Sequence, residues 1–584
     1  MYKKLIVSSI LLMLPHFVVA QTKIQEPSEQ AKLFLVGGAL KTCTSMSLTN
    51  CNQEKLPAEF SSMINKVSNQ YNVNSNNLIQ LKRLWPSKFS QQTLTRLLNL
   101  LTPISSTKVL NKKEIKQILS KYKRENYHTS LSDAEYVFVL DMLEVMVADM
   151  DTGERLKEKV YLSASKNYFS IELFTSFVAQ AAKKSNTVSP KVLIVTASAR
   201  DPFSAVDFYV DAFTQAGANA SWLPLNATLQ SIWQSSDISN ECKNLNHKLF
   251  EIQGVIQREN VYPDLYKKHI NACLNQEVIM ERIKNTDAIF LNGGDQSLTL
   301  QAFLNSDGKD SNILKLIKKK IANNTLIIGG TSAGTAVMSG GTFEGENLPM
   351  ITGGRSNTAL ARGAFTDLLP VDRCHLGNIC SETMLDDDLS YRSHGGLGLF
   401  HWGIMDSHFS ERDRQGRLMT LVIATNVKFA FGVDETTALI VSYSKSAIPT
   451  FEVLGQGGVY IIENDKIGKQ VTTHYLTRND RATLIKNKLH FNFANWKLPF
   501  NNSPENELKA VHKNVFTKAN FKLIVDLYCR SQQQQVRLKS SWQDKNQFLL
   551  LTKQFDQKSL QGQITLNGKR FSYCSYQNYV LNRI

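Results

Sequence analysis

Gly330-Thr331-Ser332-Ala333-Gly334 follows the apolar run Thr325–Ile328 and precedes the helix-like stretch Thr335–Met338. A serine in a G-x-S-x-G pentapeptide at that junction predicts a buried strand turning sharply into a helix, with the serine raised clear of the sheet edge. Such a turn strains the serine backbone and crowds its neighbours, so glycines are needed on both sides. It also aims the N–H of Ala333 at the place an oxyanion would occupy in acyl transfer. The pentapeptide is equally compatible with a Gly-rich turn carrying an incidental serine. The flanking sequence has to decide.

From Lys191-Val192-Leu193-Ile194-Val195 onward, short apolar runs alternate with helical stretches, and Asp287–Asn292, Thr325–Gly330, Met419–Ala424 and Phe429–Val433 read as further strands. Near-continuous apolar strands between helices predict a parallel sheet covered on both faces, an α/β fold. We therefore expect an α/β catalytic domain over 186–464, with a charged helical insertion at about 235–282. The Gly- and Asp-rich connection from Leu348 to Ser393 is long for a compact domain, and such loops are usually functional. Residues 21–185 are lysine-rich, with three-and-four apolar spacing at Ser90–Leu101 and Ser130–Ala148, and are expected to be a helical N-terminal region. Beyond 464, Lys488–Phe493, Lys522–Leu527, Gln547–Thr552 and Ile564–Phe571 alternate or run apolar between turn residues. They predict a small C-terminal β domain over 465–584.

At 584 residues the chain is too long for one core, and about two to four domains are expected. Lys3 and Lys4 precede the apolar stretch Leu5–Val19, and Val18-Val19-Ala20 supplies small residues for cleavage. Residues 1–20 thus read as a secretory signal peptide, and the expected destination is the periplasm or the outside of the cell. No later run of about 20 apolar residues predicts a membrane span. The eight cysteines form four near-neighbour couples, Cys43/Cys51, Cys242/Cys273, Cys374/Cys380 and Cys529/Cys574, which in an exported chain read as disulfides. No C-x-x-C pair suggests zinc, and nothing else calls for a metal or organic cofactor. The formal net charge of +16 favours anionic partners, but the basic residues are scattered and no nucleic-acid-binding signature is present. The composition does not address self-association, and a homodimer stays open.

A nucleophilic serine needs a base that takes its proton near neutral pH. His408 follows the strand-like Phe400–Met405 in the run Asp406-Ser407-His408-Phe409-Ser410-Glu411-Arg412-Asp413-Arg414-Gln415-Gly416-Arg417. Strand ends are where α/β folds present active groups. Arg412, Arg414 and Arg417 suggest a carboxylate pocket, because guanidinium binds carboxylate through paired donors; pairing with Asp406, Glu411 and Asp413 is the alternative. Phe290–Gln296 is a strand entering a Gly-Gly turn, suited to offering the Gly294 N–H to an oxyanion and the Gln296 side chain to a substrate amide. Asp434 and Glu435 follow another strand, and alternation lets at most one of them reach His408.

In this order, GGDQ at 293–296, GGTSAG at 329–334, GGLGL at 395–399, DxHFSxRxRxGRL at 406–418 and GxDExTAL at 432–439 resemble the cyanophycinases and related aspartyl dipeptidases, a serine-peptidase family. The matched motifs cover about 191–462. The resemblance implies a flavodoxin-like sheet, similar to class I glutamine amidotransferases, and a Ser-His-acid triad. By it Ser332 is the nucleophile and His408 the base, while Gln296, Asp406, Ser407, Arg412, Arg414 and Arg417 line the substrate site. Glu435 fits best as the acid; Asp434, Glu344 and Glu346 are the alternatives. Three positions depart from the family pattern: Ser407 for a usual Gln, Asp413 for a usual Gly, and Thr335 for a usual Ala. Asp413 is expected to put negative charge into the carboxylate pocket, so that its removal would improve turnover.

These readings combine into an exported serine peptidase that cleaves cyanophycin, a poly-aspartate backbone bearing arginine, to β-aspartyl-arginine dipeptides. A peptidase for other aspartyl peptides or isopeptides is the second reading. A non-catalytic polymer-binding protein is the third.

Overall fold

The computed structural model describes residues 30–57, 60, 69–105, 108–125, 131–370, 381–443, 448–500 and 514–584. The signal-peptide segment and the Cys374/Cys380 couple lie outside them. The centre of the molecule is a nine-stranded sheet. Five parallel strands run in the order Asn219–Trp222, Lys191–Val195, Ala288–Leu291, Ile327–Thr331, Gln30–Val36. In chain order the first four are second, first, third and fourth, the flavodoxin-like arrangement. Antiparallel strands Thr437–Tyr443, Pro449–Gly455, Arg481–Ile485 and Lys488–Asn492 extend the sheet beyond Gln30–Val36.

Side-chain alternation along each strand sends residues to two separate cores. Phe34, Val36, Val192, Ile194, Phe290 and Ile327 pack against the helices Tyr168–Ser185 and Val206–Gln215. Leu33, Leu35, Leu193, Val195, Leu291 and Ile328 pack against helices of the opposite layer, including Gln296–Phe303 and Asn312–Ala322. Burial on both faces explains why these strands read as uninterrupted apolar runs.

A second, eight-stranded sheet begins with Ile404–Asp406, Phe429–Val433, Gly458–Glu463 and Gln470–Thr477. It continues into the long hairpin of Lys569–Arg583 and Lys545–Leu566. Its core is shared with the helices Gln415–Thr425 and Asn520–Cys529. The C-terminal segment is therefore β-rich, but it does not stand apart: strand Gln470–Thr477 pairs with Gly458–Glu463, and Arg481–Ile485 joins the central sheet.

Sequence and structure part in three places. Gln30–Val36, inside the region expected to be helical, is a strand between Ile327–Thr331 and Thr437–Tyr443. Met419–Ala424, expected as a strand, lies within the helix Gln415–Thr425, and Lys522–Leu527 lies within the helix Asn520–Cys529. Short apolar runs carry no period that separates a buried strand from a buried helix. The helical part of the N-terminal region holds its own core, built on residues such as Leu97, Phe138 and Leu143. Fully buried Arg258 fastens it to the rest, donating to Glu144 at 2.7 Å, Asp201 at 3.1 Å and the Asp141 carbonyl at 3.0 Å. The stretch expected to be a helical insertion carries helices Leu245–Gln253 and Pro263–Leu274, and Cys242 is bonded to Cys273; Cys43–Cys51 and Cys529–Cys574 are also bonded.

A chain ending at Asn464 would uncover the apolar strand Gly458–Glu463 and delete half of the second core. We expect it to lose soluble yield and a cooperative thermal transition in near-ultraviolet circular dichroism. A soluble fragment with a sharp transition would make the C-terminal segment an independent unit.

Candidate active site

Ser332 stands where strand Ile327–Thr331 meets the short helix Ala333–Ala336, with φ 56° and ψ −115°, a conformation costly for any residue with a Cβ. Neighbouring contacts hold it there. The Ser332 N–H donates to the Val36 carbonyl at 3.0 Å, and the Thr335 hydroxyl lies 2.7 Å from that carbonyl and 2.8 Å from the Gly330 carbonyl. A Cβ on Gly330 would meet the Gly334 carbonyl oxygen at 2.3 Å, and one on Gly334 the Leu291 carbonyl oxygen at 2.5 Å, so both glycines of the pentapeptide are sterically required. Thr335, the departure from the family pattern, is a fully buried brace.

His408 follows the strand Ile404–Asp406 and also has positive φ, 45°. Its backbone N–H donates to the Gly37 carbonyl at 2.8 Å. Its ring Nε2 lies 2.7 Å from Ser332 Oγ and its Nδ1 lies 2.8 Å from Glu435 Oε1. Asp434 points the other way from the turn that follows strand Phe429–Val433: its carboxylate accepts from the Ser410 and Gly458 N–H groups and the Tyr475 hydroxyl. Glu344 and Glu346 bond to Lys428 and Asn426, remote from the histidine.

Burial, aided by the cations Arg412 and Arg414, holds the His408 pKa below the usual 6.5 against the opposing pull of Glu435. The ring is therefore neutral at pH 7 and able to accept a proton. Glu435 is held below the ordinary glutamate range, first by its hydrogen bond to His408, and stays charged. Gly293 lies over the serine: a Cβ built on it would be 3.0 Å from Ser332 Cβ and 3.6 Å from Oγ. Gly294 is next to it in the same turn, and Ala333 follows the serine.

The other expected substrate residues divide. Arg417, 4% exposed, donates to both carboxylate oxygens of Asp406 and to the Gly354 carbonyl, so its donors face the protein. Asp406 is fully buried between Arg417 and Arg414 and cannot touch substrate. Arg414 also donates to the Ser407 carbonyl at 2.6 Å. Ser407 is buried. The Gln296 side-chain amide donates to the carbonyls of Ile351 and Thr352, tying the first turn of its helix to the strand Met350–Gly353 rather than reaching for a substrate. Arg412 alone of the three arginines is exposed, and among the described residues its guanidinium has no hydrogen-bond or ion-pair partner.

Asp413 lies outside the pocket. It is 4% exposed, and its carboxylate accepts from the N–H groups of Ala519 and Phe521, capping the helix Asn520–Cys529. Burial pushes its carboxyl up to about 6. The expectation that it charges the substrate pocket is wrong, because its αL backbone, φ 50°, turns the side chain toward the C-terminal helix.

Two site elements escaped the sequence reading. The loop after strand Gln30–Val36 places Gly38, φ +123°, where a Cβ would sit 2.3 Å from the His408 ring. Lys41 follows three residues later, exposed. The signal was an apolar run ending in Gly37-Gly38, the same texture as Leu291-Asn292-Gly293-Gly294 and Ile327-Ile328-Gly329-Gly330. A cavity of about 640 Å³ lies beyond Gln296, lined by residues such as Ser297, Leu300, Gln301, Thr352 and Arg392, and does not include Ser332 or His408.

No family model matches the chain. Over 266 residues it is 28% identical to the cyanophycinase of Synechococcus elongatus, covering 46% of this chain and 67% of that relative. It is 27% identical over 240 residues to the cyanophycinase of Nostoc sp. (strain PCC 7120), or 41% of this chain and 61% of the relative. To that of Geminocystis herdmanii it is 25% identical over 300 residues, or 51% and 78%.

The geometry of Asp413 reverses the expected effect of removing it. Asp413→Gly keeps the αL turn and deletes only the cap, so stability should fall by about 1 kcal/mol in chemical denaturation. Turnover of an aspartate-backbone substrate should not rise.

Proposed function

We propose that this chain, cyanophycinase-like over about half its length, is a serine-type peptidase that hydrolyses cyanophycin to β-aspartyl-arginine dipeptides. The single observation carrying the reading is the unbroken hydrogen-bonded chain Ser332–His408–Glu435 on a strained turn. Strain of that kind persists only where surrounding structure enforces it, and it clusters at functional sites.

In the proposed reaction Ser332 Oγ attacks the aspartyl carbonyl carbon as its proton passes to His408 Nε2. Glu435 accepts the Nδ1–H hydrogen bond, fixing the tautomer and stabilising the imidazolium that forms. The N–H groups of Gly294 and Ala333 receive the developing oxyanion. His408 returns the proton to the leaving amine, and water, deprotonated by the same ring, releases the acid product and frees the serine. Arg412 is the arginine left to meet a substrate carboxylate, while Asp406, Arg414 and Arg417 hold the His408 loop in shape.

Three disulfides suit an exported protein. The second reading, a peptidase for other aspartyl peptides, gains nothing from Asp413, whose carboxylate is turned to the C-terminal helix. The non-catalytic reading does not account for the strain at Ser332.

Purified protein incubated with cyanophycin should release dipeptides identifiable by mass, and Ser332→Ala should lower the rate by at least about a thousandfold with binding retained. Retention of a tenth of the activity would remove Ser332 from the role. Glu435→Gln should cost on the order of 10³–10⁴ in turnover. Because the base must be neutral and its pKa lies below 6.5, kcat/KM should fall as pH drops, with its half-maximal point below pH 6.5. A half-maximal point above pH 7 would contradict the electrostatics.

A further inference from the structure

Two cations stand within electrostatic reach of Glu435, and among the described residues neither side chain makes a hydrogen bond or ion pair. Arg412 has its backbone N–H bonded to the His408 carbonyl at 3.2 Å. Lys41 lies on the loop that closes over the ring at Gly38. That loop is fixed at several points: the Gly37 carbonyl accepts from His408, the Gly38 carbonyl from the Thr436 N–H at 2.8 Å, and the Ala39 carbonyl from the Thr436 hydroxyl at 3.0 Å. Immediately beyond Lys41, Cys43 is anchored by its disulfide to Cys51 and by its N–H to the Ser165 hydroxyl at 2.9 Å. Lys41 is thus an exposed side chain on a rigid base. Among the described residues, neither it nor Arg412 makes a side-chain hydrogen bond or ion pair.

We infer that Lys41 and Arg412 form a carboxylate-binding pair across the His408–Glu435 dyad, selecting peptides with a free carboxylate beside the scissile aspartyl bond. This deepens the hydrolase reading and rests on it. The pair replaces the fork of three arginines, because Arg414 and Arg417 are already bonded to Asp406. It also resolves an electrostatic conflict. His408 must become imidazolium when it takes the Ser332 proton, and the guanidiniums of Arg412 and Arg414 oppose that charge, Arg412 with no carboxylate bonded to it among the described residues. A substrate carboxylate seated between Lys41 and Arg412 would cancel the opposition at the moment of reaction. Both cations also act on Glu435, which places them within electrostatic reach of one group. The neighbouring acid Glu411 does not compete for them. Although the residue is exposed along its length, burial of its carboxyl group, with the charges of Asp434 and Glu435 close by, pushes it up to about 8.

The test uses two aspartyl diphenyl phosphonates, identical except that one carries a free carboxylate and the other its methyl ester. Labelling of Ser332 is followed by intact mass. The full-length oxidised protein should react with the carboxylate probe about tenfold faster than with the ester. Lys41→Met and Arg412→Met should each collapse that ratio toward one, Lys41→Arg should retain most of it, and Lys55→Met should leave it intact as a control for net charge. Equal rates in the unaltered protein, or an undiminished ratio in Lys41→Met, overturn the carboxylate pair while leaving the serine hydrolase standing. Absence of labelling at Ser332 by either probe overturns the hydrolase reading, and the pair with it.

Discussion

Three residues, Asp434, Glu435 and Thr436, carry the chain from strand Phe429–Val433 in one sheet to strand Thr437–Tyr443 in the other. The crossing is held by a buried carboxylate. Asp434 accepts from Ser410 and Gly458 backbone amides and the Tyr475 hydroxyl, groups drawn from three separate segments. An ionised carboxylate with that many donors is stable without solvent, whereas a buried acid lacking them would be costly. With Asp434 held inward, Glu435 on the turn faces His408. The orientation of the acid is thus a consequence of a structural contact that involves no reacting group.

The site is assembled from both sheets. The serine comes from the central sheet, the histidine from the end of a strand in the second, and the acid from the crossing between them. The N-terminal loop bridges both: Val36 and Gly37 carbonyls receive the Ser332 and His408 amides respectively, and Ala39 contacts Thr436 across 397 positions of sequence. Ser332 and His408 are therefore registered against the same short stretch of backbone. Two positive-φ residues, Ser332 and His408, are adjacent to it, and each is held by a hydrogen bond from its own N–H to that stretch.

Much of this was legible in the sequence because the rules involved are local. The pentapeptide around Ser332 implies its turn, and the expectation that only one of Asp434 and Glu435 reaches His408 matches the structure, although the two diverge in a turn rather than along a strand. The assignment of the arginines was not legible, since Arg412, Arg414 and Arg417 are alike in type and differ only in whether Asp406 reaches them. Asp413 was misread for the same reason: its partners, Ala519 and Phe521, are more than a hundred residues away. The strand Gln30–Val36 was obscured by its polar, helical surroundings, and Met419–Ala424 and Lys522–Leu527 by apolar runs too short to reveal a period. Misreadings therefore gathered where tertiary partners, rather than neighbours in sequence, decide the outcome.

The pairing of strand Gln470–Thr477 with Lys569–Arg583 has a consequence for timing. Ser332 leaves the ribosome well before the hairpin that supports the sheet carrying His408. During synthesis Ser332 would be present before the sheet carrying His408 is complete, so the hydrogen-bonded chain through Ser332, His408 and Glu435 can be secured only after the last segment has been made.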